Sequence, residues 1–298
     1  MKESKIRHWI DATRPKTLAA AIIPVLTGAS IAWYDQLFRA DTTLVALFCA
    51  FSIQIGTNFA NDYFDFLKGA DTDERLGFVR ATASGLITPE AMRNATIAAM
   101  AIAFVAGLYL VWIGGWIVLA IGILSLLFGI LYTGGPYPLG YNGLGDLFVF
   151  IFFGIIAVMG TYYVNALHWS VISFLASIPV GSLCVNILVV NNLRDINQDR
   201  VANKQTIGVI FGEKALKVEY SFMLVISYAT LPILHIFTPV SFWIYLPFLT
   251  LLPAFRLNRI IWTNTDKRLL NDTLSETARF MILFGLLLSA AFILDFYV

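Results

Sequence analysis

Residues 58–73 read N-F-A-N-D-Y-F-D-F-L-K-G-A-D-T-D, and this stretch decides how the chain is read. It sets Asn61, Asp62, Asp65, Asp71 and Asp73 where a long apolar segment ends. Carboxylates bordering hydrocarbon are costly and are kept for function. A second polar stretch, 191–204, repeats the arrangement with Asn191, Asn192, Asp195 and Asp199. Asn61 and Asp65 are four residues apart, as are Asp195 and Asp199, so on helices each pair shares a face one turn apart.

The surrounding chain is apolar. Of its 298 residues 58% are hydrophobic and 13% charged, about half the charge of a soluble globular domain. Apolar runs of bilayer-spanning length recur to the end of the chain. We expect nine spans, near 17–34, 42–60, 95–113, 116–132, 147–164, 171–190, 220–237, 242–255 and 278–294. Residues 1–16 form an amphipathic lead-in at the interface, with Arg14 among the cations available to head groups. The polar segments 61–93 and 191–217 read as loops. A third lies at 256–276, and a Gly/Pro-rich stretch without Lys or Arg covers 133–145.

Lys and Arg orient the chain. With nine spans, every one of the 20 basic residues except Arg39 falls on one side. The positive-inside rule makes that side cytoplasmic, with the N-terminus and polar loops inside and the C-terminus outside. A net charge of +1 and the lack of a basic aromatic patch give no sign of nucleic acid. Nor does any feature point to an obligate protein partner. Cys49 and Cys184 lie inside apolar runs and read as inert buried thiols. The three histidines are scattered and form no metal set.

Oxygen donors from two facing helix ends suit magnesium, which is bound through one or two carboxylates together with phosphate. Lys68 and Arg80 in the first stretch, and Arg194 and Lys204 in the second, are interleaved with the acids. Mixed signs of this kind point to a metal together with a polyanion. A transporter with intramembrane acids is the rival from another class. It calls for internal repeats and charges at span midpoints, whereas here the acids gather at one face.

N-D-Y-F-D-F-L-K-G-A-D, R-A-T-A-S-G-L-I-T and N-N-L-R-D-I-N-Q-D-R followed by K-Q-T resemble the UbiA superfamily of intramembrane aromatic prenyltransferases, and most closely its menaquinone-pathway branch. The resemblance covers nearly the whole chain. It implies an all-α fold in a single integral-membrane domain over 1–298, with nine helices around a cavity open sideways to lipid. It also implies a multi-pass protein of the cell inner membrane. The implied reaction moves a polyprenyl group from its diphosphate to 1,4-dihydroxy-2-naphthoate, with loss of carbon dioxide and diphosphate, giving demethylmenaquinone. A 4-hydroxybenzoate acceptor is the alternative.

The implied magnesium ligands are Asn61, Asp62, Asp65, Asp71, Asp195 and Asp199. Asn58, Lys68, Arg80, Asn192, Arg194 and Lys204 are the implied substrate contacts, and Asp65, Asp195, Tyr132 and Lys68 the catalytic group. Tyr132, Phe128, Phe152 and Tyr163 are candidates to face an allylic cation. Two departures from the family pattern stand out. Asn203-Lys204-Gln205-Thr206 replaces G-K-R-T, and Gly77-Phe78-Val79 replaces a Gly-Pro before Arg80.

Overall fold

The computed structural model describes residues 5–70, 77 and 80–297, apart from the side chain of Lys16. Among these residues it is all-helical. A short amphipathic helix α1 (Lys5–Ala12) precedes α2 (Ala19–Tyr34), α3 (Ala40–Leu67) and α4 (Pro89–Leu131). Then come α5 (Gly145–Ala166), α6 (Val171–Val201), α7 (Glu213–Phe237), α8 (Phe242–Thr263) and α9 (Lys267–Asp295). From α3 onward, each of these is long and apolar enough to cross a bilayer; α2 is apolar but shorter.

α4 accounts for two of the expected spans. Gly115 takes φ 72° and ψ −158° within it, a backbone conformation open to glycine, and the chain doubles back there. Gly129 lies against Met100, each fourteen residues from the Gly114–Gly115 bend, so the two arms run antiparallel. With α2 and both arms of α4 counted, the helices match the nine apolar segments.

Local chemistry marks several helix starts. Thr88 accepts the Ala91 N–H ahead of Pro89 in the first turn of α4, and Ser170 accepts from Ile172 and Ser173 at the start of α6. Both are N-caps, which satisfy amides that the helix itself cannot. Between helices, small residues bring backbones together, as expected where lipid removes the hydrophobic drive for association. A Cβ built on Gly154 of α5 would sit 2.6 Å from the Gly181 Cα of α6. The main core joins α2, α5, α6, α7, α8 and α9.

The structure corrects the expected boundaries of the polar segments. α3 runs to Leu67 and α6 to Val201, so Asn61, Asp62, Asp65, Asp195 and Asp199 sit on closing helical turns and not in loops. Between α6 and α7 only 202–212 remains, and it contains a short helix, Ile207–Phe211. Most of 256–276 is helical as well. Backbone hydrogen bonds inside each helix satisfy groups that a loop would leave exposed next to hydrocarbon.

The Gly154–Gly181 contact has a direct test. Gly154→Val should cost about 1–3 kcal/mol or more through overpacking, read as a lowered unfolding midpoint of the detergent-purified protein. An unchanged midpoint would contradict the close approach.

Candidate active site

A cavity of about 370 Å³ opens among α2, α3, α4, α5 and α6, polar at one end and apolar below. Arg14, Asn58, Asn61, Asp65, Arg80, Tyr132, Thr133, Tyr141, Asn191 and Lys204 form the polar end. Phe128, Phe148 and Phe152 lie below it. Phe148 and Phe152 are stacked at 6.0 Å, with Phe128 tilted against both at 4.9 and 5.4 Å.

Asp65 is the hub of the polar end. It is 5% exposed. One carboxylate oxygen accepts from Arg80 Nη2 at 2.6 Å, and the other from the Tyr141 hydroxyl at 2.7 Å. The Lys68 ammonium stands 4.1 Å from the Tyr141 ring centre, and Lys204 5.7 Å from it. Lys68 also donates to the Thr133 carbonyl, while the Thr133 hydroxyl donates to Asn61 Oδ1. Burial pushes Lys68 below the usual ammonium range; Asp65 opposes this and Lys204 adds to it.

The two acidic motifs meet around Tyr132. Asp65, Asp146, Asp199 and Arg14 all act electrostatically on its hydroxyl. The Gly-rich stretch 133–145 wraps this ring. A Cβ at Gly145 would come within 3.0 Å of the Tyr132 hydroxyl, and one at Gly140 within 3.0 Å of the ring. The second motif is joined to this wrap by the Gln205 N–H donating to the Tyr141 carbonyl at 3.0 Å. Beside that joint, Lys204 pairs with Asp199 at 3.4 Å.

Several expectations need correcting. Among the described residues, no three Asp, Glu, His or Cys side chains cluster closely enough to hold a metal ion, and the expected magnesium ligands differ in their surroundings. Asp71 lies outside the described residues. Asp62 turns away from the cavity, and its two oxygens accept the Ala81 and Thr82 N–H groups at 3.1 and 2.9 Å. It pins the chain that carries Arg80.

Asp195 is held in a two-pronged pair by Arg194, with both contacts 2.7 Å. Arg194, 1% exposed, also donates to Asn191 and Asn271. A buried carboxylate needs an opposite charge or strong donors close by, and the arginines supply them here. Asn191, not Asn192, lines the cavity; Asn192 is buried outside the lining. Tyr163 does not face the cavity either, and instead stacks on Trp169 at 4.5 Å. Asn58 lines the wall and donates to the Thr13 carbonyl at 2.9 Å, which positions the turn bearing Arg14.

Sequence reasoning missed Tyr141 and misplaced Arg14. Tyr141 is one of 12 tyrosines and carries no periodic or charge signal. Arg14 reads as a head-group cation, but it takes φ 52° ahead of the Pro15–Thr17 turn and its side chain reaches the cavity. The next residue, Pro15, offered a local sign of that turn.

Comparison with known proteins gives a consistent result. The profile of the UbiA prenyltransferase family matches residues 21–275. A 1,4-dihydroxy-2-naphthoate octaprenyltransferase from Escherichia coli is 34% identical over 292 residues, covering 95% of this chain and 94% of the relative. The enzyme of the same name from Mycobacterium tuberculosis is 37% identical, covering 78% of this chain and 79% of its own length. Among solved structures, an apo UbiA homolog from Aeropyrum pernix superposes with a TM-score of 0.69 at 16% identity, over 94% of this chain and 97% of that one. A UbiA homolog from Archaeoglobus fulgidus bound to DMAPP and Mg2+ gives 0.68 at 14% identity, over 94% and 99%.

Removing Arg80 leaves Asp65 buried without its ion-pair partner, at a cost of about 3–5 kcal/mol. Arg80→Ala is expected to lower the unfolding midpoint markedly. Adding Asp65→Asn to it should recover part of the loss. A double variant no more stable than the single one would show that the pair does not govern stability here.

Proposed function

This chain belongs to the UbiA prenyltransferase family, and from that premise we propose that it prenylates 1,4-dihydroxy-2-naphthoate from a polyprenyl diphosphate, releasing carbon dioxide and diphosphate. The product is demethylmenaquinone at the quinol level. The observation that carries this reading is the cavity itself, with acids and cations crowded at one end and an aromatic, apolar body below. The near full-length similarity to 1,4-dihydroxy-2-naphthoate octaprenyltransferases supports the choice of acceptor. We further propose a single integral-membrane domain in the cell inner membrane, with the polar cavity end and N-terminus on the cytoplasmic side, as the distribution of Lys and Arg favours.

The oxygen donors at the polar end suit a hard divalent cation. Asp65, Asn61 and Asp199 would hold it, and Asp195 would stand behind them on α6. Magnesium bound there supplies charge neutralisation of the departing diphosphate. Lys68, Lys204, Arg14 and Arg80 take phosphate oxygens, with charge-assisted bonds that strengthen as negative charge develops. For Arg80 this exchanges one anionic partner, Asp65, for another. Arg194 acts through its neighbours, fixing Asp195 and Asn191.

Breaking of the allylic C–O bond leaves a cation at the boundary between the polar and aromatic zones. Tyr132, Phe128, Phe148 and Phe152 offer π-faces there, each worth up to about 2 kcal/mol in a dry site. The ring carbon bearing the carboxylate attacks, forming the new C–C bond. The electron pair of the bond to the carboxylate then returns to the ring as carbon dioxide departs. Atoms and charge balance without a protein nucleophile, in keeping with buried thiols at Cys49 and Cys184.

Vesicles carrying this protein, given labelled geranylgeranyl diphosphate and either dihydroxynaphthoate or 4-hydroxybenzoate, test the assignment. We expect product with dihydroxynaphthoate alone, lost on chelation and restored by magnesium. Product with 4-hydroxybenzoate alone would replace the acceptor, and inactivity with both would reject the reading. Asp65→Asn is expected to lower kcat/KM by about a hundred- to a thousandfold, the range seen when a charge-stabilising group is lost; near-normal activity would remove Asp65 from the site.

A further inference from the structure

Three buried oxygens lie outside the cavity lining and outside the chemistry described above. They are Asp146 Oδ1 at the start of α5, Asn192 Oδ1 on α6 and Glu219 Oε2 in the second turn of α7. None of them receives a hydrogen bond from a described residue. Asp146 is 6% exposed and Asn192 3%. Buried polar atoms are nearly always satisfied, and these three are acceptors. Together they call for a ligand that carries positive charge.

Helix packing brings the three into one region. Asp146 acts electrostatically on Glu219, so the two acids lie within reach of each other between α5 and α7. Asn192 falls between them. On α6 it shares a face with Leu188 and Ile196, four residues away on either side. Leu188 packs at Gly145, next to Asp146, where an added Cβ would lie 3.5 Å from its Cδ2. Ile196 and Leu216 both meet Gly208, and Leu216 is one turn before Glu219 on α7. Lys204 also acts on Asp146, but it is already paired with Asp199 at 3.4 Å. The first turn of α5 offsets part of the Asp146 charge; that effect fades beyond the first turn and gives Glu219 little.

We propose that Asp146, Asn192 and Glu219 hold one hard divalent cation of the magnesium class between α5, α6 and α7. The two carboxylates match its charge, and the amide carbonyl is a third oxygen donor. Magnesium accepts few protein ligands and keeps its own waters, whereas calcium calls for more oxygens. Left without a counter-charge, two opposed carboxylates in so dry a place would be costly. At this position the ion stands one layer behind Tyr132, since Asp146 acts on the Tyr132 hydroxyl and Gly145 lies against it. It ties the starts of α5 and α7 to α6 and so braces the wrap that places Tyr132 and Tyr141. The site is distinct from the diphosphate magnesium, because none of its three ligands lines the cavity.

The test reads binding and not turnover, so its outcome stands apart from the transfer reading. Detergent-purified Asp199→Asn, which lacks a ligand of the diphosphate site, is titrated with Mn2+ as an EPR-visible probe beside Asp199→Asn/Glu219→Gln. We expect one bound Mn2+ per chain in the first and an affinity at least about tenfold lower in the second, since losing even an outer-sphere partner costs that much. Mg2+ should raise the unfolding midpoint of the first protein and not of the second. Without metal, Glu219→Gln alone should match or exceed the midpoint of the native chain, because one of two opposed carboxylates is gone. Asp199→Asn protein that binds no Mn2+, or an affinity unchanged by Glu219→Gln, would overturn the proposal. So would a metal-free Glu219→Gln protein that is less stable than the native chain or fails to fold.

Discussion

A carboxylate at the edge of hydrocarbon has to be matched by charge or strong donors, and the organisation of this protein follows from that constraint. Asp65 is almost entirely buried and is met on one side by Arg80 and on the other by Tyr141. Each partner is in turn held in place. Asp62 fixes the backbone next to Arg80, while the wrap around Tyr132 places Tyr141. Asp195 obeys the same rule through Arg194. Buried pairs of this kind are weak contributors to net stability, but removing one partner is severe. That asymmetry makes the polar end a preset arrangement, and one that an incoming anion and cation can reorganise.

Below that end the physics reverses. The wall is aromatic and aliphatic, and the helices around it are held by small-residue contacts such as Gly154 against Gly181. An allylic cation survives only where water is excluded and π-electrons are near, and a prenyl tail is at home only in an apolar surround. Both demands are met by one cavity whose polar and apolar zones share a border at Tyr132. The doubled-back α4 supplies much of the apolar wall.

The fold class and the place of the site were legible in the sequence because they rest on strong local signals. Long apolar runs dictate spanning helices, and acids at their ends are too costly to be incidental. The spacing of Asn61 to Asp65 and of Asp195 to Asp199 pointed to helical faces, and both helices indeed extend past the acids. What was not legible depended on direction, which spacing does not carry. Asp62 and Asp65 are both plausible ligands by position, yet one faces a backbone turn and the other the cavity. Asn191 and Asn192 differ only by a rotation of about 100° around the helix. Tyr141 became visible only when the Gly-rich wrap had a shape, and Arg14 only when its turn had been placed.

We propose that the ends of α3 and α6 act as one diphosphate site over a shared cavity. It is tested most directly by determining the structure with magnesium and an unreactive thio analogue of geranylgeranyl diphosphate. The diphosphate is expected between Asp65 and Asp199, with Lys68 and Lys204 on its oxygens and the tail running past Tyr132 into the apolar part of the cavity. A diphosphate bound away from either helix end, or a tail lying outside the cavity altogether, would contradict it.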